Sequence, residues 1–307
     1  MKLFYYIKNL LLSIAPRAYF SYNKHNLEKK FQGQMKVVRD RVDYYCKIDS
    51  PTALDPRKTT SFSRFSHKGQ SAYVYDLKEF LRYFPDTNPF CYYFGDEVAI
   101  EECPTLYKAR PIEGDNDNSV LFKLNKRRHF QFVNDTLDFR TKKNMAVFRG
   151  FVKRDHRVRF MEAMFENPMV DAGQSNPSQD HPEWQKDYMS IPEQLKYKFI
   201  ICLEGNDVAT SLKWAMSSNS VVVTPKMRFE TWFMEGKLQP GVHYVEVKDD
   251  WSDFDEKIDY YLSNPDKAEA MIKNAHRHVA QFQNEQLENL ICIKTLEKYF
   301  DLCQLKT

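Results

Sequence analysis

Residues Lys196–Pro225, KYKFIICLEGNDVATSLKWAMSSNSVVVTP, decide the fold. They read as a buried strand at Phe199–Leu203, a turn at Gly205, a helix from about Asp207 to Ser217 and a second buried strand at Ser220–Thr224. Val208, Leu212, Ala215 and Met216 recur at helical spacing and give that helix its inner face. Strand, helix, strand in this order builds a parallel sheet. It places the turn and the first helical amides at the strand's carboxyl end. Unpaired N–H groups and the positive end of the helix dipole favour an anionic ligand there.

A second unit of the same kind precedes it, MAVFRGFVKRDHRVRFMEAMFENPMVDAG, Met145–Gly173. Arg149, Gly150, Lys153, Arg154 and Arg157 crowd its turn. Two strand-to-helix turns rich in cations and amides point to a phosphate-bearing ligand such as a nucleotide. Ser190 and Glu193 form a capping box with Pro192 inside the first turn. Phe229–Glu235 reads as a short helix closed by Gly236, Val242–Val247 as a strand, and Ser252 as the cap of a helix to Ser263. This alternation predicts a doubly wound α/β domain. Beyond it, Ile272, Ala275, Val279 and Phe282 form one helical stripe, and Ile293, Leu296, Phe300 and Cys303 another.

The first ~140 residues carry weaker signals. A helix is expected within Ser71–Phe84, a buried strand at Pro89–Val98 turning at Gly95-Asp96, and a short strand at Val120–Leu124 that runs into the basic stretch Lys123–His129.

The chain has 307 residues, enough for two domains, and its net charge of +3 is too small to imply nucleic-acid binding. No run of roughly 18 apolar residues occurs, so no transmembrane helix is expected. At the N-terminus, Leu3, Ile7, Leu10, Leu11 and Ile14 share one helical face flanked by Lys2, Lys8 and Arg17. That face fits attachment to an anionic membrane surface or packing on its own domain. The six cysteines show no C-x-x-C spacing, which argues against zinc and dithiol sites and for core residues in a reducing compartment.

The G-x-G-x-x-G, P-loop, G-x-S-x-G and H-E-x-x-H motifs are absent, which disfavours common dehydrogenases, P-loop kinases and α/β-hydrolases. Asp115-Asn116-Asp117 could hold a divalent ion against a diphosphate, but such triplets are common in polar loops. His276 and His278 lie two apart on a helix, face different directions and read as surface residues. Arg149, Arg157 and Lys213 lie at or after the two turns, where phosphate oxygens would dock; the alternative is a solvated helix face. Asp96 follows an apolar strand and could take a proton from a hydroxyl, or could serve only the turn beside Gly95.

Taken in order, these pieces resemble glycosyltransferase family 90, the Rumi-type family, from about Phe90 to Phe282. The matching segments are V-F-R-G with Arg157 seven residues beyond the glycine, E-N-P, V-D-A, L-K-Y-K-F with its E-G turn, S-L-K-W-A-M-S-S-N-S-V-V-V, L-Q-P-G-V-H-Y-V-E-V and D-D-W-S-D-F. F-G-D-E-V, C-P-T-L-Y-K-A-R-P-I and L-N-K-R-R-H-F are similar to the bacterial lipopolysaccharide branch.

The resemblance implies a GT-B-like α/β fold with two Rossmann-like domains facing a cleft. It implies a UDP-sugar donor, inversion at the anomeric carbon, and no metal or other cofactor. The corresponding division is 1–142 on the acceptor side, 143–284 for the nucleotide-sugar and 285–307 as a helix returning toward the first domain. By position Asp96 corresponds to the catalytic base and Arg157 to a diphosphate-contacting arginine. The expected donor-binding set is Arg149, Gly150, Arg157, Gly205, Asp207, Val208, Ala209, Thr210 and Lys213, with the amides of Asp207–Thr210 at a helix start. Lys108, Phe151, Glu230 and His243 are expected to line the cleft. Lys213 stands where many members carry arginine, and Phe151 replaces a small hydroxyl residue, so the donor-sugar pocket differs.

The expected activity is transfer of a sugar from a UDP-sugar to a hydroxyl of a lipopolysaccharide or related glycan, including a lipid-linked oligosaccharide. It would take place in the cytoplasm or on the inner face of the cytoplasmic membrane. A non-catalytic nucleotide-sugar or glycan-binding protein is the alternative. A basic RNA-binding module is a third, distinguished by steep salt dependence.

Overall fold

A computed structural model describes residues 2–66 and 71–305. Its elements begin with helices α1 (Lys2–Ile14), α2 (Arg17–Lys30) and α3 (Met35–Tyr45). Strands β1 (Thr52–Leu54) and β2 (Thr60–Ser61), helix α4 (Ser71–Leu81), and strands β3 (Pro89–Tyr92), β4 (Thr105–Tyr107), β5 (Ala109–Pro111) and β6 (Ser119–Leu121) follow. Next come α5 (Lys126–His129), β7 (Lys143–Gly150), α6 (Asp155–Met164), β8 (Val170–Gln174), α7 (Ile191–Gln194), β9 (Tyr197–Ile201), α8 (Leu212–Met216) and β10 (Val221–Pro225). The chain ends with β11 (Phe229–Thr231), β12 (Val245–Val247), α9 (Phe254–Ser263), α10 (Pro265–Ala280), α11 (Glu285–Leu302) and β13 (Cys303–Leu305). The molecule is a mixed α/β protein with parallel sheets.

Two compact units divide the chain. The first is Met1–Arg127, Phe229–Phe233 and Phe282–Thr307; the second is Arg128–Arg228 and Met234–Gln281. In the first unit β2-β3-β4-β6 form one sheet, parallel from β3 to β6. Helix α11 packs on α2, α3 and α4, and β13 pairs with β1. A buried polar network braces this packing. Glu288 on α11 accepts from Trp232 at 2.8 Å, pairs with Lys123 at 2.7 Å and also meets Arg41. Burial alone would push the Glu288 carboxyl up, but the two cations outweigh that and hold it below its ordinary value.

Helix α1 lies against α4. Tyr5 donates to Asp76 at 2.8 Å, Lys8 pairs with Glu79 at 3.0 Å, and Tyr6 meets Tyr75 edge-on. Its opposite side, Ile7, Leu10, Leu11 and Ile14, faces outward and is exposed.

The second unit is built on a five-stranded parallel sheet in the order β12-β10-β9-β7-β8. Strands β9 and β10 are buried almost throughout, as the apolar runs Phe199–Ile201 and Val221–Val223 within them demand. Ala146, Phe148, Phe160, Ile201, Val223 and Trp251 form part of the core between sheet and helices. The Ser190–Glu193 capping box forms, with the Ser190 amide donating to Glu193 at 2.7 Å.

Three expectations need correction. Residues 207–211 are loop, and the helix keeps only Leu212–Met216. Phe229–Glu235 is not a helix: Phe229–Thr231 pairs as a strand with β5, Glu230 opposite Arg110, and Glu235–Lys237 is a single 3-10 turn. His278 is buried, not on the surface, while His276 bonds the Ser218 carbonyl at 2.8 Å. All six cysteines are buried free thiols.

Candidate active site

Numbered within the second unit's sheet, the five strands run 2-1-3-4-5, so the order reverses between β7 and β9. The chain leaves β7 toward β8 on one side and returns to β9 on the other. Connections that diverge in this way open a crevice at the strands' carboxyl ends, the usual ligand site of open α/β sheets.

Arg157, in the first turn of α6, fills the base of that crevice. Its Nε–H donates to the Glu204 carbonyl at 2.8 Å, one terminal nitrogen to Phe151 O at 2.7 Å and the other to Leu203 O at 2.7 Å. One guanidinium thus ties the end of β7 to the end of β9. A guanidinium has five N–H groups, so these three bonds leave one donor on each terminal nitrogen. Gly150 and Gly205 stand beside it. A Cβ on Gly205 would meet the guanidinium at 3.6 Å, and one on Gly150 at 3.7 Å. Both are ordinary contact distances, and the tight neighbour of a Cβ at Gly150 is the Phe148 ring at 3.0 Å; as glycines, the two residues add no side chain over the cation. Burial lowers the Arg157 pKa, yet arginine stays charged.

Other polar groups gather at the same edge. His156 meets the Glu204 carbonyl at 2.8 Å; a carbonyl only accepts, so Nε2 carries the proton. Burial lowers the His156 pKa, and the Glu204 contact only partly offsets this. Arg154 bonds Asn206 at 2.7 Å. Arg228, just past β10, donates its amide to the Glu204 side chain at 2.9 Å and forks onto Asp249 at 3.0 and 2.9 Å. Sequence reading overlooked Arg228; its position three residues after an apolar strand was the available signal.

Not every expected donor residue reaches this edge. Arg149 turns aside, its guanidinium held by the Asp171 carboxylate and carbonyl, each at 2.8 Å. Tyr197 and Lys186 complete that cluster at 2.6 and 3.1 Å. Burial pushes the Asp171 carboxyl up, but its three partners together outweigh this and hold it at about 2. Lys213 has no exposed surface: its ammonium pairs with equally buried Glu235 at 2.7 Å, over the Phe130 ring. Asp207, Val208 and Ala209 are buried loop residues and Thr210 is half-buried. No helix starts at them, so the helix-dipole part of the expectation fails. The amide of Gly205 instead closes a tight turn onto Asp207 O at 2.8 Å. Phe151 is exposed, and His243 accepts from the Gln239 amide at 3.0 Å.

In the first unit Asp96 lies beyond the carboxyl end of β3, in a turn where Gly95 has φ 122°. Only glycine adopts that backbone without strain. The Asp96 carboxylate is about one-third exposed and pairs with the buried ammonium of Lys108, which follows β4. Glu230 is enclosed by Arg110 at 2.8 Å and by Tyr44. It is the partner of a buried arginine and does not line a cleft. Asp115 and Asp117 are exposed, and among the described residues no group of three or more His, Cys, Asp or Glu is placed to hold a metal ion.

A family model described as glycosyl transferase family 90 matches residues 124–307. The chain belongs to glycosyl transferase family 90. It is 39% identical over 307 residues to O-glucosyltransferase LpsA of Dichelobacter nodosus, spanning 99% of this chain and 96% of that protein. It is 26% identical over 137 residues to Protein O-glucosyltransferase 3 of Homo sapiens, 43% of this chain and 27% of that one. As a family 90 member the chain is a transferase that passes a glycosyl group from a sugar donor to an acceptor. The family match contains the whole Arg157 crevice. No described helix is long and apolar enough to cross a membrane.

Proposed function

We propose that the chain is a GT-B-like, inverting glycosyltransferase that moves a sugar, glucose being the first candidate, from a UDP-sugar to a hydroxyl of a lipopolysaccharide or related cytoplasmically assembled glycan. One observation carries this reading: Arg157 sits at the strand-order reversal with two N–H groups left over and a glycine on either side. Two parallel donors match two oxygens of a diphosphate.

In this reading the acceptor oxygen attacks the anomeric carbon from the face opposite UDP. The bond from that carbon to the diphosphate oxygen breaks, and its electron pair leaves with UDP. Asp96 takes the hydroxyl proton as the new bond forms. Arg157, with Arg154 and Arg228 nearby, stabilises the growing negative charge on the leaving group. Fixed cations thereby supply the neutralisation that a divalent ion supplies elsewhere, and no metal enters the step. Lys108 anchors the Asp96 carboxylate. The name of the Dichelobacter nodosus relative, an O-glucosyltransferase, supports the choice of sugar.

The test is UDP release across a panel of UDP-sugars, with and without oligosaccharide acceptors. Release that needs both a particular UDP-sugar and a hydroxyl acceptor supports the reading. Donor binding with no release for any acceptor contradicts it.

A further inference from the structure

The N-terminal helix presents an apolar stripe that its own fold does not cover. Ile7, Leu10, Leu11 and Ile14 recur at helical spacing and are 44%, 66%, 59% and 76% exposed. The opposite side of α1 is fixed by Tyr5 to Asp76 and Ala72 and by Lys8 to Glu79. The stripe is therefore held outward and cannot roll inward without breaking those contacts. Tyr19 and Tyr22 on α2 are also exposed, at 45% and 69%.

Charge singles out the same segment. Residues 2–30 contain six Lys or Arg and one Glu, a surplus of five, whereas the whole chain of 45 cations and 42 acids is only +3. Three of the six cations are already paired within the fold, Lys8 with Glu79 and Glu285, Arg17 with Asp86 and Lys24 with Glu297, whereas Lys29 and Lys30 are exposed and meet no acid among the described residues. Neither helix has an acid in its first turn, and Lys29 and Lys30 close α2.

We propose that α1 is a docking helix that lies on an anionic lipid surface, burying Ile7, Leu10, Leu11 and Ile14 among acyl chains. Lys29 and Lys30, at the end of α2, would meet the anionic headgroups. Thirteen residues span about 20 Å as a helix, short of the roughly 30 Å hydrocarbon core, so the helix lies on the bilayer and does not cross it. An apolar stripe with basic flanks and interfacial tyrosines is the pattern that binds this way. An anionic surface attracts exposed lysines without an acid partner, such as Lys29 and Lys30, by about fivefold in affinity, or about 1 kcal/mol, each, in addition to the burial of the apolar stripe. The inference does not depend on the donor site.

The experiment is flotation of the full chain with phosphatidylcholine vesicles, with and without about one-third phosphatidylglycerol. The chain should float with the anionic vesicles and much less with the neutral ones. Leu10→Ser/Leu11→Ser/Ile14→Ser should lower the bound fraction about tenfold or more. Lys29→Glu should lower it less, and added salt should weaken binding of the parent. Both variants should keep the parent's thermal midpoint, because the changed side chains are exposed. Failure of the parent to float with anionic vesicles overturns the proposal, as does undiminished flotation of the triple variant. A dimer in vesicle-free solution that the triple variant abolishes also overturns it, since the stripe would then be an interface between copies of the chain.

Discussion

The Nε–H of Arg157 donates to the carbonyl oxygen of Glu204 at 2.8 Å, so a cation on the first helix of the sheet is bonded to the loop that follows its third strand. With its bonds to Leu203 and Phe151, the same side chain fixes both walls of the crevice. Its charge is pre-positioned before any ligand arrives, which is what makes fixed cations effective against a developing negative charge.

Removing that side chain should cost affinity first. Each charge-assisted hydrogen bond contributes about 1.5–3 kcal/mol, and each 1.4 kcal/mol is tenfold. Arg157→Ala is therefore expected to weaken UDP binding by roughly 10- to 100-fold or more, read by titration calorimetry. Arg157→Lys should recover little, because an ammonium cannot bond three carbonyls and present a fork. Wild-type affinity in the Ala variant would remove Arg157 from the site.

Asp96→Asn should separate chemistry from binding. The amide cannot accept the proton, so transfer should fall by about 10²–10⁴-fold while UDP affinity holds. Steady-state UDP release with acceptor, set beside UDP titration, measures the two. A variant that transfers at a near-normal rate rules out the base assignment.

Lys213 should affect stability and not donor affinity. Lys213→Met strips the ammonium from the buried carboxylate of Glu235, a change that typically costs about 3–5 kcal/mol. Lys213→Met/Glu235→Leu should regain much of the loss, since paired removal leaves no buried charge. Thermal or urea unfolding of the single and double variants checks this. A stable single variant that loses UDP affinity would instead restore Lys213 to the donor site.

Acid should loosen the second unit through Asp171. Its folded pKa of about 2 lies below the usual 3.8, so folding favours the charged form. That contribution is complete above about pH 4 and is lost as pH falls toward 2. Asp171→Asn should lower stability at neutral pH and flatten the pH dependence in that window, as followed by unfolding at stepped pH. An unchanged acid limb would assign the loss to other carboxyls.

The second unit was the legible part, and the reason is local. Phe199–Leu203 and Val221–Val223 are unbroken apolar runs, as strands covered on both faces produce. The helix expected at Asp207–Ser217 was misread because a buried loop and a buried helix both hide apolar side chains. Val208 and Ala209 are buried in loop, so the spacing from Val208 to Leu212 imitates a helix that begins only at Leu212. Phe229–Thr231 could not be recognised as a strand because its partner β5 is more than a hundred residues earlier. The same separation disguised Glu230, which looked like an available acid until Arg110 appeared beside it. Arg149 and Arg157 are alike in sequence, both near one strand end. What separates them is that Asp171 lies on the neighbouring strand and captures the first.

A crystal structure of the chain with UDP tests the central claim most directly. The account predicts pyrophosphate oxygens about 2.7–2.9 Å from the terminal nitrogens of Arg157, at the carboxyl ends of β7 and β9 and beside Gly150 and Gly205. A diphosphate bound away from that edge, with the Arg157 guanidinium touching only Phe151, Leu203 and Glu204, would contradict it.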